Sequence, residues 1–154
     1  MATQPQLPTD VTAFVPHRSP MRMVSRLLVC DSDDLGTVEA VIADDNPLLR
    51  ADGSLEEVAL CEILAQSFAA TQGYIDLKNS LAAERGFLVG IRSIDIFAPA
   101  HRGDVLTIKV QLLMRMEGFY LVRGEVLRGD ELLAEGEMKV WVPELKTIPD
   151  GEDA

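Results

Sequence analysis

The longest apolar stretch of the chain predicts a buried helix. Between Ser54 and Gly73 the sequence reads SLEEVALCEILAQSFAATQG, and most positions past the first turn are apolar. A helix that is apolar on nearly all sides is buried in its protein. Ser54 and Glu57 have the spacing of a capping box, and Gly73 can end a helix in the left-handed conformation. We therefore predict one long buried helix over about residues 55–72.

Outside this stretch, apolar and polar positions alternate with the period of β-strands. Turn sequences rich in Asp and Gly separate the alternating segments. Six strands are predicted, over residues 21–30, 37–43, 87–97, 104–115, 119–128 and 132–142. Ahead of them, Asp10 is predicted to cap a short helical turn that Pro16 ends.

The order of the predicted elements, β-β-α-β-β-β-β, indicates an α+β fold. Strands with solvated alternate positions are typical of an antiparallel sheet with one dry face, and the helix is available to cover that face. We expect a curved antiparallel sheet wrapped around the helix, and dimerisation because one helix cannot cover so large a sheet. A single domain is expected over residues 10–143, between a flexible lead-in at 1–9 and a flexible acidic tail at 144–154.

Composition narrows the class of protein. A formal net charge of −11 argues against nucleic acid or an anionic membrane as the main partner. Glu62 and Gln66 interrupt the one apolar run that approaches membrane-spanning length, and the N-terminus does not resemble a secretory signal. Cys30 and Cys61 lack metal-ligand spacing, which favours two buried thiols over a disulfide or a reactive thiol. We expect a cytoplasmic protein without a metal or cofactor.

Glu62 is the first candidate for chemistry because it is a carboxylate within the apolar helix. Gln66 follows four residues later and shares its helix face. A carboxylate in such surroundings must be paired, hydrogen-bonded, protonated or directed into a cavity. Gln66 or a backbone amide could satisfy Glu62 structurally, or Glu62 could act as an acid–base group. The residues alone leave both interpretations open.

Five short motifs occur in order along the chain: Pro16-His17-Arg18-Ser19-Pro20 before an apolar strand, Asn46-Pro47, Glu62-Ile63-Leu64-Ala65-Gln66, Phe87-Leu88-Val89-Gly90-Ile91 and Gly103-Asp104. Together they resemble the 3-hydroxyacyl-ACP dehydratases, which have the hot-dog fold. The resemblance spans roughly residues 7–143. It is strongest to the ApeP-like dehydratase branch, which is associated with aryl-polyene and related fatty-acyl clusters.

The resemblance implies an active site built from a Glu and a His. In typical family members the Glu lies on the helix, where Glu62 matches it, and the His lies in a Gly-His-Phe-Pro-Gly stretch before the helix. The corresponding segment here, residues 46–54 (NPLLRADGS), is several residues shorter than in those members and contains no His. His17, the histidine nearest to a matched motif, could replace that base. Alternatively, His17 and Arg18 form a structural clamp at the strand start or at a dimer contact.

Dehydration requires a base that removes the C2 proton and an acid that protonates the departing hydroxyl. We predict Glu62 and His17 as the catalytic pair, with Gln66 orienting Glu62. Asn46 could hydrogen-bond the substrate or hold its own turn. His101 lies on a predicted turn and is expected to be solvated.

The leading hypothesis is therefore a 3-hydroxyacyl-ACP dehydratase of fatty-acyl or polyene-type biosynthesis. Its partners would be an acyl carrier protein or CoA thioester and a second hot-dog subunit, in a homodimer, a higher homo-oligomer or a heterodimer. The missing His keeps open a non-catalytic subunit that pairs with an active dehydratase. A second alternative is an acyl thioesterase, in which a helix carboxylate activates water; the Pro-His-Arg-x-Pro opening disfavours it.

Overall fold

The computed structural model describes residues 5–32, 35–79 and 86–142, so the predicted acidic tail lies outside the described residues. One helix, α1, spans Glu57–Lys78. The strands are β1 (Thr9–Asp10), β2 (Arg26–Ser32), β3 (Leu35–Val41), β4 (Phe87–Ile96), β5 (Val105–Met116), β6 (Phe119–Arg128) and β7 (Glu131–Trp141). The six predicted strands are confirmed, five of them within two residues at each end, whereas β2 begins five residues later than predicted. Strand β1 is a seventh that the sequence did not predict.

All seven strands form one antiparallel sheet in the order β1-β2-β3-β5-β6-β7-β4. The sheet curves around α1, which packs against five of its strands. Alternate residues of β5, beginning with Leu106 and Ile108, point into the core against α1 residues such as Leu60 and Ile63. The predicted α+β architecture of a curved sheet around one helix is confirmed. Within the described ranges, no helix has both the length and the apolar character needed to cross a membrane.

The start of α1 differs from the prediction. The Ser54 hydroxyl donates to Asp52 Oδ1 (2.6 Å) and does not cap the helix. Ser54 also forms an isolated β-bridge with His101, and Leu55 N–H donates to the carbonyl of Ala100 (2.8 Å). These bonds hold residues 54 and 55 in an extended conformation. The predicted capping box is therefore wrong, and α1 begins at Glu57.

The end of α1 also differs, because the helix continues past residue 72 to Lys78. Gly73 lies inside the helix, where a Cβ atom would come within 2.6 Å of the Phe14 carbonyl oxygen. The glycine therefore serves the close approach of the N-terminal segment to the helix. It does not end the helix.

Apart from β1, the N-terminal segment, residues 5–25, is irregular and packs against α1. Asp10 Oδ1 accepts from Thr12 N–H (2.7 Å), and Val15 N–H donates to the carbonyl of Val11 (3.2 Å). The predicted capped turn is therefore present as a single turn. Residues 21–25 were predicted as strand but lie ahead of β2, because Met23 N–H bonds to a helix side chain instead of a neighbouring strand.

Candidate active site

Glu62 lies on a stripe of α1 that the sheet does not cover. The stripe follows the helical spacing through Val58, Glu62, Ala65, Ala69 and Gln72, and all five side chains are at least partly exposed. Val58 is 62% exposed, and the Glu62 side chain is 35% exposed. The prediction of burial on nearly all sides is thus wrong for this stripe. Glu62 instead borders a cleft, which was one of the open alternatives.

Gln66 ties this part of the helix to the N-terminal segment and orients Glu62. Its Oε1 accepts from Met23 N–H (2.8 Å), so its amide nitrogen must face the other way. Nε2 then donates to the Met21 carbonyl and to Glu62 Oε1, both at 2.9 Å. The Gln66 side chain is fully buried. This amide therefore holds one oxygen of Glu62 in a fixed position.

The N-terminal segment brings His17 to the same carboxylate. His17 Nε2 lies 3.6 Å from Glu62 Oε1 of the same chain, and the imidazole is 33% exposed. The other ring nitrogen, Nδ1, is buried and has no hydrogen-bond partner within the described part of the chain. Arg18 Nη1 donates to the carbonyls of Val15 and His17, both at 2.8 Å. Arg18 thus clamps the backbone that presents the imidazole to Glu62.

A cleft of about 170 Å³ opens beside this pair, between α1, the N-terminal segment and the neighbouring ends of β4 and β7. His17, Glu62 and Gln66 provide its polar lining at one end. Leu88 and Val140 are among the apolar residues that line the wall opposite the helix. An imidazole and a carboxylate at one end of an apolar cleft can act as acid and base on an apolar substrate.

The other predicted residues lie elsewhere. Asn46 is buried in the link before the helix, and its Oδ1 accepts from Leu48 N–H (2.9 Å), as expected if it holds its own turn. Asn46 is not among the residues lining the cleft, and a contact with substrate stays a prediction. His101 is exposed on its turn, and its N–H donates to Asp104 Oδ2 (2.8 Å). The structure thus groups His17, Glu62 and Gln66 and leaves Asn46 and His101 apart.

The two cysteines also lie outside the cleft. Cys61 is buried, and this burial raises the pKa of its thiol, whereas Cys30 is only partly buried. The expectation of two buried thiols thus holds for Cys61 alone. No group of three or more His, Cys, Asp or Glu side chains that could hold a metal ion occurs in residues 5–32, 35–79 and 86–142.

Sequence reasoning missed the cleft residues other than His17, Glu62 and Gln66. Gln72 lies ten positions after Glu62 on the same helix stripe, a spacing that could have identified it. Phe87 and Leu88 were noted only as part of a strand motif. Their place in the cleft depends on β4 following β7 at the edge of the sheet, which no local pattern indicates.

The curved sheet around one helix defines a hot-dog protein, and a carboxylate and an imidazole lie together at its cleft. The model of the ApeP-like family, described as ApeP dehydratase, matches residues 9–150. The chain belongs to the ApeP-like dehydratase family.

Individual relatives agree with this assignment. The 3-hydroxyacyl-acyl-carrier-protein dehydratase FabZ of Chlamydia trachomatis serovar L2 is 28% identical over 148 residues, covering 90% of this chain and 94% of the relative. The dehydratase heterocomplex ApeI:P from Xenorhabdus doucetiae contains a chain with 25% identity and a TM-score of 0.81, at 89% and 93% coverage. A hypothetical thioesterase with coenzyme A from Streptococcus pneumoniae TIGR4 is 14% identical with a TM-score of 0.54, at 72% and 80% coverage. This last likeness shows the fold alone.

Proposed function

We propose that this protein dehydrates a 3-hydroxyacyl thioester in the cytoplasm, with an acyl carrier protein holding the substrate. The observation that carries the proposal is the 3.6 Å approach of His17 Nε2 to Glu62 Oε1 at the mouth of an apolar cleft. This imidazole compensates for the histidine that the segment before the helix lacks. Membership of a dehydratase family and the similarity to FabZ support the reaction type and the carrier.

We propose a role for each group. Neutral His17 removes the C2 proton through Nε2, while protonated Glu62 donates its proton to the 3-hydroxyl, which leaves as water. The electrons of the C2–H bond form the C2=C3 double bond, and the product is the 2-enoyl thioester. Because Gln66 donates to Oε1, the acidic proton of Glu62 resides on Oε2, away from the amide. Imidazolium and carboxylate then lie 3.6 Å apart, and a closer approach of the two groups, or one bridging water, returns the proton to Glu62.

The test is turnover of purified protein with 3-hydroxyacyl thioesters on acyl carrier protein and on CoA. The wild type is expected to form the enoyl product, which mass spectrometry detects as the loss of one water from the substrate. Glu62→Gln and His17→Asn should each lower kcat by about 10²–10⁴-fold, the usual contribution of a general acid or base. His101→Asn, a change at an exposed turn histidine, should leave kcat unchanged.

Two results would count against this proposal in different ways. Wild-type protein without turnover on any carrier would contradict the activity of the chain on its own. Full activity of His17→Asn, with an unchanged melting temperature, would remove His17 from the mechanism and leave Glu62 in need of another base.

A second candidate function is that of the Glu62-bearing subunit in a mixed dehydratase. The Xenorhabdus doucetiae neighbour is a heterocomplex, and this chain has no His in the segment before the helix. The uncovered stripe of α1 continues into exposed apolar side chains of edge strand β4, including Leu88 (37% exposed) and Ile91 (46%). We propose that a second hot-dog subunit covers this surface. Activity that appears only after mixing with a His-bearing dehydratase subunit would favour this function over the first.

The carrier is proposed on chemical grounds. Acyl carrier protein and CoA both attach the acyl group through a phosphate-bearing pantetheine arm. Seven arginines form ion pairs with carboxylates, whereas Arg18 has no carboxylate within 4.0 Å in the described part of the chain. Arg18 is exposed next to His17 and is the cation that we expect to face the phosphate.

A further inference from the structure

The cleft continues well beyond the acid–base pair. It follows α1 from Glu62 past the small side chains of Ala65 and Ala69 to Gln72. At a rise of 1.5 Å per residue, the ten residues from Glu62 to Gln72 span about 15 Å. Leu88 is among the apolar residues on the opposite wall. An acyl tail that leaves the reacting carbons at Glu62 can therefore extend along the helix over an apolar path.

The far end of this path is polar. Gln72 lines the cleft there, and its Nε2 donates to Asp76 Oδ1 (2.9 Å). Asp76 is buried, and burial is the main reason that its pKa is raised. The two side chains lie four positions apart on one helix face, a spacing that favours their contact. Asp76 thus holds the Gln72 amide in place at the end of the cleft.

A tail that grows along the apolar path gains about fourfold in affinity per buried methylene. A methyl group that reaches Gln72 instead displaces water from an amide to which it offers no hydrogen bond, and that desolvation is unfavourable. We propose that Gln72, held by Asp76, sets the longest acyl chain that the cleft accepts. This inference rests on the proposed function, because it assumes that the cleft holds the acyl tail of the substrate.

Binding tests the inference without requiring turnover. The probes are S-alkyl pantetheine thioethers of increasing chain length, which cannot react, measured by isothermal titration calorimetry. For the wild type, affinity should rise with each methylene and stop rising when the tail reaches Gln72. Gln72→Met removes the amide at nearly constant size and should tighten binding of those longest tails by about tenfold or more. Gln72→Ala should move the break to longer tails.

Gln111→Met is the matched control, because Gln111 is exposed on β5 and lies outside this cleft. It should reproduce the wild-type profile. The same break in wild type, Gln72→Met and Gln72→Ala, with unchanged melting temperatures, would overturn the inference. Thioethers that bind without any dependence on length would overturn it too. Failure of the proposed function would instead show as absent turnover with 3-hydroxyacyl thioesters, which these binding measurements do not use.

Discussion

Gln66 is the residue on which the geometry of the His17–Glu62 pair depends. Its buried amide satisfies Met23 N–H and the Met21 carbonyl and also holds Glu62. In Gln66→Leu the two backbone groups lose their partners, and leaving a buried polar group unsatisfied costs about 1–3 kcal/mol. We expect a loss of about 2–4 kcal/mol in the free energy of unfolding, measured by urea denaturation, together with reduced kcat. Gln111→Leu, at an exposed position, should change neither.

Asp76 should make stability depend on pH in a defined direction. Burial raises its pKa above the usual 3.8, although Gln72 and Arg115 act in the opposite sense. A folded-state pKa above the unfolded value means that the contribution of Asp76 to stability is most favourable below about pH 3.8 and is lost as pH rises through the folded-state pKa. Asp76→Asn keeps an acceptor for Gln72 and avoids the buried charge. Its melting temperature should exceed that of the wild type at neutral pH, and the difference should disappear in acid.

Exposed Asp95 on β4 provides the control for this pH experiment. Asp95→Asn should shift the melting temperature little at any pH. An Asp76→Asn protein that is less stable than the wild type at neutral pH would show that the charged form of Asp76 is the favoured one.

The sequence identified the helix half of the site and left the other half undecided. Glu62 and Gln66 could be placed together because four residues make about one helical turn. His17 could not be placed, because its position depends on how the N-terminal segment lies on α1. That path is determined by contacts such as Met23 with Gln66, which are distant in sequence. Local periodicity carries no information about such contacts.

At the scale of elements, the packing of the N-terminal segment on α1 makes Gly73 sensitive to substitution. Alanine is the better helix former by about 1 kcal/mol, so propensity alone predicts that Gly73→Ala stabilises the protein. However, the new Cβ would lie 2.6 Å from the Phe14 carbonyl oxygen, and the segment would have to move. Overpacking of this kind typically costs about 1–3 kcal/mol. We expect net destabilisation in chemical denaturation, with lower activity because the same segment carries His17.

Gly90→Ala on β4 is the comparison for Gly73→Ala, since a Cβ there would meet no atom within 4 Å. It should be tolerated.

Contacts with other parts of the chain explain why the helix could be predicted but its ends could not. The apolar run indicated α1, whereas Gly73 looked like a terminator and Ser54 like a cap because each takes its actual role from a distant partner.

At the scale of the whole molecule, the uncovered surface of β4 and α1 predicts assembly. Ile91 faces the helix side of the sheet yet is 46% exposed, because β4 is the edge strand. Ile91→Lys should leave the subunit folded, since the side chain is not in its core, but should disrupt association through this edge. We expect the mass measured by light scattering to fall toward the 16.9 kDa of one chain.

Val105→Lys introduces the same charge at an exposed apolar residue of β5, away from the edge strand, and should preserve the assembly. A wild-type protein that is already a single chain in solution would exclude a second copy of this chain as the cover of this surface and would leave only a different hot-dog subunit.

The bond from Met23 N–H to Gln66 Oε1 gives the site a built-in reporter. Met23 lies outside the strands, so its amide is not protected by a β-ladder and owes its protection to one side chain. The exchange of this amide with deuterium, followed by mass spectrometry or NMR, therefore records how often the N-terminal segment lifts from the helix. A ligand that settles between His17 and Glu62 should slow this exchange while leaving the amides of the sheet unchanged. The separation of His17 from Glu62 can thus be timed in solution without a label.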